Sequence, residues 1–176
     1  MQKFLAAAVI PMLLAAGPAL AQTTPDMGDA KKVELKGTDG TSMGTASVVP
    51  TAHGVIIETD LQNLPDGVHG FHIHETGACD GDFTSAGGHY NPSGADHGYL
   101  MEAGPHAGDM PNVTAIDGAV KVTVFNGGVS LTGGEAPLDD EDGSALLIHS
   151  GADDYASQPS GDAGSRIACG VIFPAR

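Results

Sequence analysis

No stretch of this 176-residue chain carries an apolar stripe at 3.6-residue spacing through three turns. The apolar residues come instead in short runs, several alternating with period two. A helix needs the first pattern to bury a face, whereas a half-buried strand needs only the second. Residues 32–36 alternate as Lys-Val-Glu-Leu-Lys, residues 54–61 are short and β-branched, and 145–149 and 167–173 are further apolar runs. Residues 113–116 and 119–125 flank Asp117-Gly118, which predicts a hairpin on a two-residue turn. The 26 Gly and 11 Pro supply the turns such a chain needs. The prediction is one all-β domain, an antiparallel sandwich or barrel, with no internal repeat and no linker. Two segments break the strand rhythm, 75–111 and 150–166, both rich in Gly, Pro, Asp and Ser. Loops of that length inside one domain are usually functional.

Seven Lys and Arg stand against 22 Asp and Glu, for a net charge of −15. That argues against nucleic-acid and anionic-membrane partners, which repel so acidic a chain. An apolar fraction of 41% with only 16% charged residues argues against disorder. Residues 1–21 read as a secretory signal peptide: Lys3, an apolar run over 4–16, and Ala19-Leu20-Ala21 before the cut. The run falls short of the roughly 20 apolar residues of a membrane span. The expected layout is a signal peptide at 1–21, a loose leader at 22–30 and a domain at 31–176, exported to the periplasm and free of the membrane after cleavage. In an oxidising compartment Cys79 and Cys169 read as one disulfide. Neither has the ligand-spaced neighbour that a thiolate metal site would need. Asn112-Val113-Thr114 fits a glycosylation sequon and is read as a chance match.

Histidine carries the chemistry. In Gly70-Phe71-His72-Ile73-His74-Glu75, strand parity puts His72 and His74 on one face and His69, Phe71 and Ile73 on the other. Paired imidazoles on one face suit a metal, so His69 is read as structural. The long loop adds His89, His97, His106 and Asp109, a donor set suited to a borderline dication such as zinc. His149 ends an apolar run, and His53 sits in a separate turn and is read as a surface residue.

These motifs together resemble the copper/zinc superoxide dismutases. The resemblance rests on Gly70 to Glu75, Ser85-Ala86-Gly87-Gly88-His89-Tyr90-Asn91-Pro92, His97-Gly98, Gly104-Pro105-His106-Ala107-Gly108-Asp109, His149 to Asp154, and Gly164-Ser165-Arg166-Ile167-Ala168-Cys169-Gly170. It covers roughly 31–174, in the family's order. It implies an eight-stranded Greek-key barrel or sandwich with two long functional loops. It assigns copper to His72, His74, His89 and His149, and zinc to His89, His97, His106 and Asp109, with His89 as the bridge. It makes Asp153 the outer carboxylate between His72 and His97, Arg166 the active-site arginine, His89 a proton carrier, and Cys79–Cys169 the family disulfide. Ser160 stands where the family often has Thr at the channel rim. The implied activity is dismutation of superoxide to O2 and H2O2 by copper cycling between Cu(II) and Cu(I). The family contains monomers and dimers, so a homodimer is one arrangement the resemblance allows.

The charge pattern bears on Arg166. No Lys or Arg lies between residues 37 and 120, and Arg166 stands alone between 122 and 175 amid many aspartates. A lone guanidinium there is read as an anion contact rather than a surface ion-pair partner. Relatives often steer superoxide with channel lysines, so weaker steering is expected here. The alternative to the enzyme is a periplasmic copper/zinc binding or storage protein. A zinc hydrolase fits less well, because three His and one Asp close a zinc shell and leave no position for water.

Overall fold

The computed structural model describes residues 29–176. The signal-peptide reading and nearly all of the leader fall outside these residues; Asp29 and Ala30 are exposed and lack regular structure. The described chain is all-β, with a single 3-10 turn at Thr84–Ala86. The strands are β1 Lys31–Gly37, β2 Ser42–Thr51, β3 Gly54–Leu61, β4 Gly67–His69, β5 Phe71–His74, β6 Val113–Ala115, β7 Thr123–Asn126, β8 Ser144–His149 and β9 Arg166–Phe173. Seven of them form one antiparallel sheet in the order β5-β8-β9-β1-β2-β3-β7, and β4 pairs with β6 in a small second sheet.

Alternation explains the curl. In β1, Val33, Leu35 and Gly37 are buried while Lys32, Glu34 and Lys36 are exposed. Val55, Ile57, Thr59 and Leu61 repeat the pattern in β3. Phe71, Ile73, Leu146 and Ile148, near one end of the strand order, share a core cluster with Val55 and Ile57 near the other. The sheet therefore wraps around a common interior and forms a half-barrel.

Strand β2 lies outside the runs read from the sequence. Only Ala46 and Val48 of its ten residues are buried, among Ser, Gly and Thr. Its place comes from pairing on both sides, with β1 and with β3 over eight register positions. The predicted hairpin is corrected in part. Asp117 (φ 51°) and Gly118 (φ 74°) do form the tight turn, closed by two Ile116–Ala119 backbone bonds of 3.0 Å. Beyond that bridge the arms part: β6 runs to β4, while β7 pairs with β3. Each arm finds a longer partner elsewhere than in the other.

Strands β5 and β8 carry the functional side chains. Their register sets Phe71 opposite Ile148, His72 opposite Leu147 and His74 opposite Ala145, and the N–H of His149 donates to Gly70 O. His72, His74 and His149 thus share the outer face, while Phe71, Ile73, Leu146 and Ile148 enter the core. The two long loops cover that outer face, so every residue of β5 is buried.

The Cys79–Cys169 disulfide pins the long loop to this wall, where Cys169 packs with Phe83, Ala86, Ala145 and Leu147. It spans a sequence separation of 90 residues. Replacing both cysteines with serine is expected to lower unfolding stability by roughly 4–5 kcal/mol on the chain-entropy account. Urea titration of the oxidised parent and the double variant measures this, and a loss under about 1 kcal/mol would contradict it.

Candidate metal centre

The free edge of β5 is capped by loop rather than by a regular strand. Ile73 N–H donates to Gly108 O at 2.9 Å, Tyr90 N–H to Ile73 O at 2.8 Å, and Gly108 N–H to Tyr90 O at 2.8 Å. Isolated bridges set Asp109 against His72 and His89 against His74. A Cβ at Gly108 would overlap Ile73 O, so this close approach of backbone needs glycine.

Two clusters result. The donor atoms of His72, His74, His89 and His149 lie within 4.8 Å of one another, as do those of His89, His97, His106 and Asp109. All seven residues are buried, and His89 belongs to both groups. His69 lies outside both. Its Nδ1 contacts His149 O and its Nε2 contacts Pro65 O, each at 2.8 Å, so it ties backbone together. His53 is exposed and belongs to neither cluster.

Each histidine of the first cluster except His89 has one nitrogen committed outside it. His72 Nε2–H donates to Asp153 Oδ2 at 2.8 Å, His74 Nδ1–H to Gly87 O at 3.1 Å, and His149 Nδ1–H to Gly164 O at 3.4 Å. That fixes the tautomers and turns a lone pair inward from His72 Nδ1, His74 Nε2 and His149 Nε2. His74 Nε2 and His149 Nε2 face each other at 3.3 Å. His72 Nδ1 and His89 Nε2 are buried with no hydrogen-bond partner, as is His106 Nδ1 in the second cluster. Orphaned buried lone pairs are rare and call for an explanation. A shared cation supplies one.

The second cluster centres on Asp109. Its Oδ1 lies 2.8 Å from His89 Nδ1, 3.1 Å from His97 Nδ1 and 3.3 Å from His106 Nδ1. Edges of a tetrahedral shell with bonds near 2.0–2.1 Å are about 3.3 Å, so the spacing suits zinc. Asp109 Oδ2 accepts from the backbone N–H of Gly98 and His106, and Tyr99 donates to Asp109 O. Sequence reasoning missed Tyr99, which lies next to the His97-Gly98 motif but matches no ligand pattern.

Asp153 links the clusters, accepting from His72 Nε2 at 2.8 Å and from His97 Nε2 at 3.0 Å. A Cβ at Gly161 would overlap Asp153 Oδ1 and crowd His97 Nε2, and Gly161 has a φ of +69°. Burial alone would raise the Asp153 carboxyl. Hydrogen bonds from His72, His97 and the Tyr155 N–H hold it far below the usual carboxylate range. Burial likewise opposes Asp109, yet the bonds from His89 and the Gly98 N–H bring it down to about 2. Burial pushes His72 down to about 4 against the pull of Asp153. His149 falls to about 3 through burial and the His72 ring, and His74 lies well below its ordinary value through burial and the His89 ring. Neutral imidazole and ionised carboxylate are the forms that ligate metals.

The first cluster opens to solvent through a cleft of about 410 Å³ lined by His74, His89, His149, Arg166, Pro159 and Ser160. Arg166 donates from Nη1 to Phe83 O and from Nη2 to Gly87 O. Gly87 O thus receives both Arg166 and His74, which couples the guanidinium to the cluster. Among the described residues that line the cleft, Arg166 is the one Lys or Arg. Glu75 lines the same cleft and accepts the Gly88 N–H at 2.8 Å.

Residues 42–172 match the family profile described as copper/zinc superoxide dismutase (SODC). The chain belongs to the copper/zinc superoxide dismutase family. "Superoxide dismutase [Cu-Zn] 2" of Aquifex aeolicus is 51% identical over 143 residues, covering 79% of this chain and 84% of that protein. Among solved structures, a double mutant of a SOD-like protein from Bacillus subtilis superposes with a TM-score of 0.78 at 41% identity, covering 81% of this chain and 96% of that one. The Cu/Zn superoxide dismutase from Brucella abortus gives 0.66 at 31% identity, covering 82% and 99%. The dismutase resemblance read from the sequence, its all-β fold and the Cys79–Cys169 disulfide agree with these findings.

The buried histidines make the metal-free protein sensitive to acid. His72 and His149 have folded pKa values below the ordinary 6.5, so the unfolded chain binds protons first as pH falls. Their contribution is complete above 6.5 and is lost as pH drops toward about 4 for His72 and about 3 for His149. At pH 5 the expected loss is on the order of 2 kcal/mol for each group. Asp109 and Asp153 are ionised in both states at that pH and add their own loss only below about 4. Urea unfolding of metal-free protein at pH 7 and pH 5 checks this; equal stabilities would contradict it.

Proposed function

We propose that the protein dismutates superoxide to O2 and H2O2, with copper held by His72, His74, His89 and His149 and zinc by His89, His97, His106 and Asp109. The observation that carries this reading is the pair of complete four-donor clusters sharing His89, placed beside one arginine in one cleft. Membership of a family whose relatives bear that activity in their names supports it. Copper supplies a one-electron couple and zinc does not change redox state.

The chain's own residues then have distinct tasks. Arg166 gives an anion entering the cleft a positive contact, and its two carbonyl partners fix where that contact lies. His89 sends Nδ1 to the Asp109 side and Nε2 to the cleft side. It can therefore take up and release a proton at Nε2 while Nδ1 keeps its place. Asp153 and Asp109 orient the imidazoles and exclude their rotation. The leader pattern at 1–21 supports export to the periplasm, and the disulfide fits an oxidising compartment.

Substrate encounter is local rather than long-range. At a net charge of −15 the molecule as a whole repels an anion, and Arg166 is the cleft's one basic side chain among the described residues. Superoxide decay should require copper, and Arg166→Ala should slow it by at least about tenfold. Raising salt should not lower the rate and should tend to raise it, because it screens the repulsion from a net charge of −15 while no ring of cations is there to be screened. Pulse radiolysis or stopped flow with metal-free and loaded protein measures all three. Full metal occupancy without faster decay would assign these residues to a copper and zinc store. A steep fall of rate with salt would overturn the local-encounter account.

A further inference from the structure

His97 and Asp153 come from different loops, yet His97 Nε2–H donates to Asp153 Oδ1 at 3.0 Å. The same two residues are gripped again through their main chains, once from each direction. From the long loop, Asn112 Oδ1 accepts the Asp153 N–H at 2.9 Å and Asn112 Nδ2 donates to Asp153 O at 2.8 Å. From the other loop, Gln158 Oε1 accepts the His97 N–H at 2.8 Å and Gln158 Nε2 donates to His97 O at 3.0 Å. Each carboxamide closes a two-bond ring on the main-chain N–H and C=O of one residue of the opposite loop, as a short β-bridge would. The Asn112 N–H also donates to Tyr155 OH at 2.8 Å, and the Tyr155 N–H donates to Asp153 Oδ1 at 2.6 Å.

We propose that Asn112 and Gln158 are positioning residues. They form a two-way carboxamide clasp that holds the His97–Asp153 pair and, through Asp153, holds His72. One joint then sets the geometry of both metal clusters. The proposal rests on the reading that these clusters bind copper and zinc. Among side chains, Asn and Gln carry both a carbonyl acceptor and an amide donor on one planar group. A carboxylate in either place would keep the acceptor, lose the donor and add negative charge near Asp153 and Asp109. The Asn112 side chain is thereby committed inside the fold, which accounts for the residue that matches a sequon without any role for a glycan. Gln158 is solvent-exposed, so its loss removes the clasp without opening the core.

The test uses Asn112→Ala, Gln158→Ala and the double variant, each carried through as the whole exported chain. In Gln158→Ala loaded with both metals, a chelator should remove zinc about tenfold more readily than from the parent. The Cu(II) electron paramagnetic resonance spectrum should also change, although no copper-facing atom is altered. In metal-free protein, the His97 amide should exchange with solvent faster. Asn112→Ala should do the same at Asp153. The double variant should fall short of the product of the singles, because both clasps hold one pair. Gln158→Glu, which keeps the acceptor alone, should lie between. Folded Gln158→Ala with zinc retention within about twofold of the parent, an unaltered copper spectrum and unaltered His97 exchange would overturn the clasp. That variant decides the matter even where Asn112→Ala does not fold. A parent protein that takes up neither metal would overturn the metal reading instead, and His97 exchange in the metal-free variants would then decide the clasp.

Discussion

The centre depends on the Asp153 carboxylate, which accepts one N–H from His72 and one from His97. Imidazole has two nitrogens, and a hydrogen bond at one decides what the other can do. Because Asp153 takes Nε2 of both rings, both turn Nδ1 inward. His74 and His149 give Nδ1 to backbone carbonyls instead and turn Nε2 inward. The first cluster is therefore built from mixed ring faces, and the mixture is dictated by partners outside it. His89 differs: neither nitrogen is tied to a group beyond the two clusters. That freedom is what allows one ring to serve both.

Burying Asp109 among three histidines and Asp153 between two sets opposing costs against each other. Desolvation acts against ionised Asp109 and Asp153 and equally against protonated His72, His74 and His149. The hydrogen bonds that lower the carboxyls come from imidazole and peptide N–H groups, which remain donors when the rings are neutral. Burial thus favours neutral His72, His74 and His149, beside Asp109 and Asp153 held ionised by those bonds. That is a site carrying negative charge and several inward lone pairs, which is what a dication requires. The interior of an already acidic protein is stabilised in this form by donors and not by cations.

The sequence showed the fold class and most of the centre for identifiable reasons. Strand alternation in β1, β3, β8 and β9 leaves a direct mark, and parity alone placed His72 and His74 together. The family motifs brought in His89, His97, His106, Asp109, His149 and Asp153, which come from two loops and one strand and share no local period. Parity did less for His69 than it promised, since the chain changes sheets at Gly70 and His69 belongs to β4. Strand β2 was invisible because its fit depends on neighbours on both sides rather than on its own apolar content. The parting of the β6 and β7 arms was equally invisible, because a turn signal specifies the turn and not the length of the ladder behind it. Asn112 and Gln158 left no mark of any kind: amides that bond to backbone have no spacing rule, and only three dimensions show which peptide they meet.

The same limits explain why loops can build so exact a site without regular structure. A strand holds its residues by a ladder of backbone bonds; the segments 75–112 and 150–165 replace that ladder with scattered substitutes. Cys79–Cys169 anchors the start of the first loop to β9, and Arg166 draws Phe83 O and Gly87 O toward the same strand. Gly108 brings the loop against β5 at backbone contact, and Gly161 lets the second loop pass directly over Asp153. Each substitute joins chain to chain at a point within a few residues of a cluster histidine. Arg166 stands at the junction of these constraints: it is the first residue of β9, lies three residues from Cys169 and shares Gly87 O with His74. The one cation of the cleft among the described residues is consequently fixed by the contacts that order the loop, and an anion that reaches it meets a guanidinium whose direction is already set.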